Sequence, residues 1–226
     1  EACAEKSNET TAIPALLARL SASGSLTGAL VSIDAIACNP EIAQAIVDGG
    51  AAYLLAVKEN QPTRHGEIAA FFDTALPEEI ETAVEIDKDH GRIETRRCVV
   101  ARQIDWLEGP RRFSGEYRFP KLAAVAMVEA RIGGRDPCTF EQRLYITSSP
   151  LAAARCATAV RSHWRIENSL HWVLDVNFHE DLSRLRKGHG AQNMAIVRHF
   201  ALNLVRRASD KRSLKRRRKC AGWDPR

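Results

Sequence analysis

Between Ala29 and Val57 the chain reads apolar run, capped helix, apolar run, and that order leaves few folds open. Ala29-Leu30-Val31-Ser32-Ile33 is short, apolar and partly β-branched, bounded by Gly28 and Asp34, which is the pattern of a buried strand. Asn39-Pro40-Glu41 then supplies an N-cap, a proline at the first helical position and an acid in the first turn, and Gly49-Gly50 ends that helix. Ala51 to Val57 is a second apolar strand. Strand, helix, strand makes a βαβ unit, whose crossover is right-handed and whose strands are parallel, so the spacing predicts an α/β sheet. Asp34 then stands at the C-terminal end of a strand, the edge where open α/β sheets gather ligands and catalytic groups.

Around this unit, helical spacing of Ile13, Leu16, Leu17 and Leu20 predicts a short helix over Thr11–Leu20, with Pro14 in its first turn. A second helix is expected from Thr63 to Leu76, with Ile68, Phe71, Phe72 and Leu76 on one side. From Glu79 to Thr147 the texture is β-rich: Glu85-Ile86-Asp87, Arg92-Ile93-Glu94-Thr95, Cys98-Val99-Val100, Val125-Ala126-Met127-Val128 and Leu144-Tyr145-Ile146 are strand-like pieces parted by Gly, Pro and Asp. Leu151 to Arg207 is helical by its spacing, with Ile196, Phe200 and Leu204 in one stripe. At 226 residues and 45% hydrophobic content the chain can bury a substantial core. No apolar run approaches the roughly eighteen residues that cross a bilayer, so a soluble cytoplasmic protein with no membrane partner is expected. The six cysteines are scattered without a CxxC pair, which favours reduced thiols over a zinc knuckle or a disulfide framework.

The net charge of +5 hides a polar distribution. Residues 184–226 hold fourteen Lys/Arg against two acids, a local +12, leaving −7 on residues 1–183. A basic C-terminal region attracts phosphate backbones through charge and counterion release. For Lys211 to Lys219 a solvated tail accounts for the composition equally well.

His163 to Arg184 reads HWRIENSLHWVLDVNFHEDLSR and sets one carboxylate, Glu167, in an aromatic and cationic amphipathic segment. His163, Glu167, His171 and Asp175 recur every four residues, but an α-helix drifts about 40° per such step, so the four do not converge on one ion and a zinc site is disfavoured. Together with Ser32-Ile33-Asp34-Ala35, Val57-Lys58-Glu59-Asn60-Gln61 and His90-Gly91-Arg92-Ile93-Glu94, this segment resembles the insertion-sequence transposases of the ISAs, or H-repeat-associated, type, which belong to the DDE superfamily. The motifs come in the family's order, and the resemblance runs from Glu5-Lys6-Ser7-Asn8 through Ala221-Gly222-Trp223-Asp224.

The resemblance implies an RNase H-like mixed sheet with flanking helices and a β-rich insertion between the family's second Asp and its Glu. It divides the chain into a first part of the catalytic core (1–79), the insertion (80–147), a helical second part (148–207) and a basic tail (208–226). It matches Asp34 to the second catalytic Asp and Glu167 to the Glu, as ligands of Mg²⁺ or Mn²⁺ in cleavage and strand transfer at insertion-sequence ends. The family's first catalytic Asp lies upstream of where this chain begins, so the chain reads as an N-terminally truncated transposase; the alternative is an inactive DNA-binding remnant. DNA is the implied partner, with a homodimer in the DNA complex. Candidate DNA contacts are Lys58, Asn60 and Gln61 on the edge shared with Asp34, Arg92 after a tight turn, His163 and Arg165 beside Glu167, and Arg184, Arg186 and Lys187 beyond it. Trp164, Trp172 and Phe178 suit either base stacking or a core. Bland alternatives stand beside these: Asp34 capping its own turn, a solvated loop at 58–61, and a plain hairpin at His90-Gly91-Arg92.

Overall fold

Asn39 does what its position predicts. Its Oδ1 accepts the Ile42 N–H at 2.8 Å, Pro40 opens the helix, and Gly50 leaves it at a φ of +77°. The structure, a computed structural model, describes residues 9–89, 92–109, 118–133 and 138–223. In chain order it contains α1 (Glu9–Ala22), β1 (Leu30–Ile33), a 3₁₀ turn (Ala35–Ala37), α2 (Pro40–Asp48), β2 (Ala52–Val57) and α3 (Pro62–Thr74). A second 3₁₀ turn (Pro77–Glu79), β3 (Glu81–Asp89), β4 (Arg92–Ala101), α4 (Asp105–Glu108), β5 (Ala124–Gly133) and β6 (Thr139–Thr147) follow. The chain then runs through α5 (Ala153–Ile166), a π-helical turn (Glu167–His171), α6 (Trp172–Phe178), α7 (Gly190–Arg207) and α8 (Leu214–Trp223).

The six strands form one mixed sheet in the order β1-β2-β6-β5-β4-β3. β1 and β2 are parallel, Leu30 facing Ala52 and Ile33 facing Leu55, as the βαβ reading requires; every other neighbour is antiparallel. The strands of the β-rich stretch extend the sheet of β1 and β2 through β6, which pairs with β2 from Leu54↔Thr147 to Val57↔Leu144. Period-2 alternation sorts the residues to two faces. Tyr53, Leu55, Val57, Val99, Val125, Met127, Leu144 and Ile146 face a core completed by Leu17 of α1, Ile42 and Ile46 of α2 and Ile68 of α3. On the other face the Cys156 thiol of α5 meets the Cys98 thiol of β4, both buried.

Two compact units emerge, Glu1–Arg161 and Ser162–Arg226. In the second, Val173, Leu174 and Leu202 form a buried hydrophobic cluster among the described residues, flanked by Leu170, Phe178 and Leu214, and Asn177 is buried as well. Two local expectations need correction. Pro14 lies inside α1 rather than in its first turn, so the ladder lacks the N–H that Thr10 would otherwise receive. On α7 the stripe Ile196, Phe200 and Leu204 is exposed, and the buried residue is Leu202, because this small core takes a single residue from that helix. The His90-Gly91 turn lies outside the described residues. Among the described residues no helix is long and apolar enough to cross a membrane.

Candidate functional site

In the first unit the parallel pair β1 and β2 ends in two loops at one sheet edge, and the polar residues of both loops meet there. Asp34 occupies the N-cap position of the turn Ala35–Ala37 in extended backbone, yet its carboxylate makes no cap hydrogen bond. It turns instead to Lys58, whose Nζ lies 3.1 Å from Oδ1 and 3.4 Å from Oδ2. Both side chains are about half exposed, Lys58 at 52% and Asp34 at 45%. The capping alternative for Asp34 therefore finds no support. Asn60 donates from Nδ2 to the Ala35 carbonyl at 2.7 Å, and Gln61 donates from Nε2 to the Cys38 carbonyl. The backbone of that second loop is closed by Gln61 N–H on the Lys58 carbonyl at 2.9 Å. So 58–61, exposed at Lys58, Glu59 and Asn60, is tied to the Asp34 loop through the Asn60 and Gln61 amides. Beneath it Cys38 is buried, and burial pushes its thiol up to about 12, outweighing the opposing pull of Arg64.

In the second unit Glu167 opens the π-turn, where the chain takes i→i+5 hydrogen bonds for one turn between α5 and α6. Such turns are rare and concentrate at functional positions. Its carboxylate Oε2 lies 3.3 Å from His171 Nδ1, and both side chains are more than half exposed. The turn is braced from two sides: the Ser169 hydroxyl donates to the Arg165 carbonyl, and Arg206 of α7 donates to the Ser169 carbonyl. α6 ends at His179 in left-handed backbone, its N–H on the Asp175 carbonyl at 3.1 Å. Arg218 of α8 donates to the Asn177 carbonyl and lies 5.4 Å over the Phe178 ring, a cation at a helix C-terminus where the dipole favours it.

The remaining candidates divide by exposure. Arg165, Arg184, Arg186 and Lys187 are exposed, while His163 and Trp164 are half-buried with their rings edge to face at 5.7 Å. Trp172 is exposed and Phe178 is half-buried beneath Arg218, so of the three aromatics Trp172 is the one offered for stacking. Arg92 opens β4, and its side chain lies outside the described residues. The structure thus brings Asp34, Lys58, Asn60 and Gln61 together in one unit, and Glu167 with His171 in the other. Sequence reasoning missed Lys58 as the counter-ion of Asp34 and Arg206 as the brace of the π-turn. The first was readable once two parallel strands ended at one edge; the second, 37 residues from its acceptor, left no local signal.

Among the described residues no three His, Cys, Asp or Glu side chains form a metal-holding group. Magnesium takes one or two protein carboxylates and fills its octahedron with water and substrate, so exposed acids such as Asp34 and Glu167 are donors of the right hardness for it.

A model of the transposase DDE domain matches residues 2–204. The chain belongs to the DDE transposase family. Its relatives include "Putative transposase YncI" of Escherichia coli O157:H7, 38% identical over 222 residues that make up 95% of this chain and 54% of that protein. "H repeat-associated putative transposase YhhI" of Escherichia coli K12 is 36% identical over 209 residues, 89% of this chain and 52% of that protein. An "Uncharacterized protein in dhlA 3'region" of Xanthobacter autotrophicus is 40% identical over 146 residues, 63% of this chain and 45% of that protein. The chain spans about half the length of the curated relatives it matches. Membership of this family agrees with the H-repeat-associated resemblance and with an α/β chain whose mixed sheet is flanked by helices.

Proposed function

We propose that this chain carries two of the catalytic carboxylates of a DDE transposase, Asp34 and Glu167, which would hold Mg²⁺ or Mn²⁺ while DNA is cut and joined at the ends of an insertion sequence. The observation that carries the reading is the position of Glu167: a family-matched acid, exposed, at the first residue of a braced π-turn. When bound, the divalent ion polarises a phosphoryl oxygen and activates the attacking water or hydroxyl. The chain's own part is to present the acids. Asp34 lies beside exposed Lys58 and Glu167 beside exposed His171, and an exposed pair of this kind is worth at most about 1 kcal/mol, so neither of these two contacts withholds its acid from a divalent ion. Asn60 and Gln61 fix the loop that carries Asp34, and Lys58 beside it would contact the phosphate backbone at the same edge. Arg165, Arg184, Arg186 and Lys187, with His163 and Arg92, supply backbone contacts, and Trp172 a stacking plane.

In this reading the sheet is an RNase H-like core with β3 to β6 as the insertion between Asp34 and Glu167, the protein acts on DNA in the cytoplasm, and two copies meet in the DNA complex. The deciding experiment is nicking of a supercoiled plasmid bearing the neighbouring element ends, in Mn²⁺, by this chain and by Asp34→Asn and Glu167→Gln. Nicking that both substitutions abolish supports the proposal. DNA binding without nicking by any of the three would leave a DNA-binding remnant.

A further inference from the structure

The basic tail is a helix with two chemically distinct faces. At 100° per residue, Leu214, Arg217 and Arg218 of α8 fall within an arc of about 100°, and Lys215, Arg216, Lys219 and Trp223 fall within a similar arc on the opposite side. The first set holds the helix down. Leu214 packs on the Val173, Leu174 and Leu202 cluster. Arg217 donates from Nε to Asp210 Oδ1 at 2.7 Å and from Nη1 to the Val205 carbonyl at 3.1 Å, while Arg218 reaches the Asn177 carbonyl. The second set has no such duty: Lys215, Arg216 and Lys219 are exposed, and Trp223 is 76% exposed. Between Arg184 and Trp223 the only acid in the sequence is Asp210, which Arg217 and Arg212 already occupy.

A helix face that merely keeps a protein soluble interleaves acids with its cations, because Glu and Lys four apart attract and two lysines four apart repel. Lys215 and Lys219 are four apart with no acid within four residues of either in sequence, so the outer face bears a repulsion, with no acid at helical spacing to offset it, that a polyanion would relieve. The geometry points to the outer face of α8, Lys215, Arg216, Lys219 and Trp223, as a clamp for the phosphate backbone of duplex DNA, separate from the two acids and independent of metal. This extends the DNA-acting reading above and rests on it for the identity of the polyanion. An anionic membrane fits less well, since α8 turns its aliphatic residue inward and offers a single exposed ring to insert.

The test is fluorescence anisotropy of a labelled short duplex titrated with the full chain in EDTA across a salt series, for the wild type and for Lys215→Ala/Arg216→Ala/Lys219→Ala. Removing three phosphate contacts should make the negative slope of log K against log salt shallower by about 2.7, equally for duplexes of unrelated sequence. A Lys215→Arg/Lys219→Arg variant keeps the charge and should keep the wild-type slope. An unchanged slope in the triple variant overturns the inference, as does a change seen with RNA or with phosphatidylserine vesicles but not with duplex DNA. Failure of nicking by the wild type in Mn²⁺, together with a shallower slope in the triple variant in EDTA, refutes the catalytic proposal alone.

Discussion

Replacing Leu202 by Ala should open the second unit while leaving the sheet closed. Leu202 is fully buried, one of three buried residues in the core of that unit, with Val173 and Leu174 from the helix that follows Glu167. A buried Leu→Ala change removes the transfer energy of the lost methyl groups and adds a cavity term, together about 2.7–5 kcal/mol. Sixty-five residues, Ser162 to Arg226, carry a stability of about 3–10 kcal/mol at ordinary values per residue. The loss is thus comparable with the whole and raises the open population of the unit by about a hundredfold to several thousandfold. Hydrogen exchange followed by mass spectrometry reads this directly: peptides of α6 and α7 should lose their protection, and those of β4 and β5 should keep theirs. Leu204→Ala makes the same chemical change two residues on at a side chain 53% exposed, and should shift stability by no more than about 0.5 kcal/mol. Equal effects of the two substitutions would refute the assignment of Leu202 to the core. Faster exchange in β4 and β5 to the same extent as in α6 and α7 would refute the independence of the two units.

Three further outcomes are expected. Cys38, Cys98 and Cys156 are buried, and burial holds the Cys38 thiol near 12, so peptide-resolved alkylation in mildly alkaline buffer should label exposed Cys138 first and these three only on denaturation; prompt native labelling of Cys38 would contradict its burial. The Glu81 carboxyl is held below its ordinary 4.5, chiefly by the hydrogen bond from Arg102 and then by the Ala153 N–H at 2.9 Å. A depressed carboxyl stabilises above its ordinary value and loses that contribution as pH falls through the lowered one, so Glu81→Gln should melt below the wild type at neutral pH and converge with it in acid. Parallel melting curves across that range would dismiss the linkage. The two glycines Gly50 and Gly66 should respond to Ala with opposite signs in urea midpoints: Gly50, at a φ of +77°, loses about 1–2 kcal/mol, whereas exposed Gly66 inside α3, with nothing within 4 Å of an added Cβ, gains about 0.5–1 kcal/mol.

What the sequence disclosed follows from how locally each feature is encoded. The βαβ unit was legible because Asn39, Pro40 and Gly50 punctuate it within a dozen residues, and once β1 and β2 are parallel the meeting of Asp34 with Lys58 follows from topology. Glu167 and His171 were legible as an i,i+4 pair. β4 was harder. The pieces Arg92–Thr95 and Cys98–Val100 belong to one strand, in which Arg97 lies opposite Glu129 in register and pairs with it at 3.1 Å, so the polar residues between them continue the strand. The tail left DNA attraction and a solvated tail equally open, and its helix was not legible because it is fixed by Arg217 and Arg218 on carbonyls of other elements, contacts that leave no trace in periodicity.

The π-turn at Glu167 is the sharpest case. An extra residue in a helical turn has no composition signature, and its carbonyl at Ser169 is satisfied by Arg206 from another helix. A helix broken in this way persists only where its surroundings over-determine it. That the break falls at the acid proposed above as catalytic, with a brace supplied from α7, is the pattern expected when local regularity yields to the placement of a reactive group. Arg206 is accordingly the residue through which the position of Glu167 depends on α7, and on the single buried side chain, Leu202, that anchors that helix.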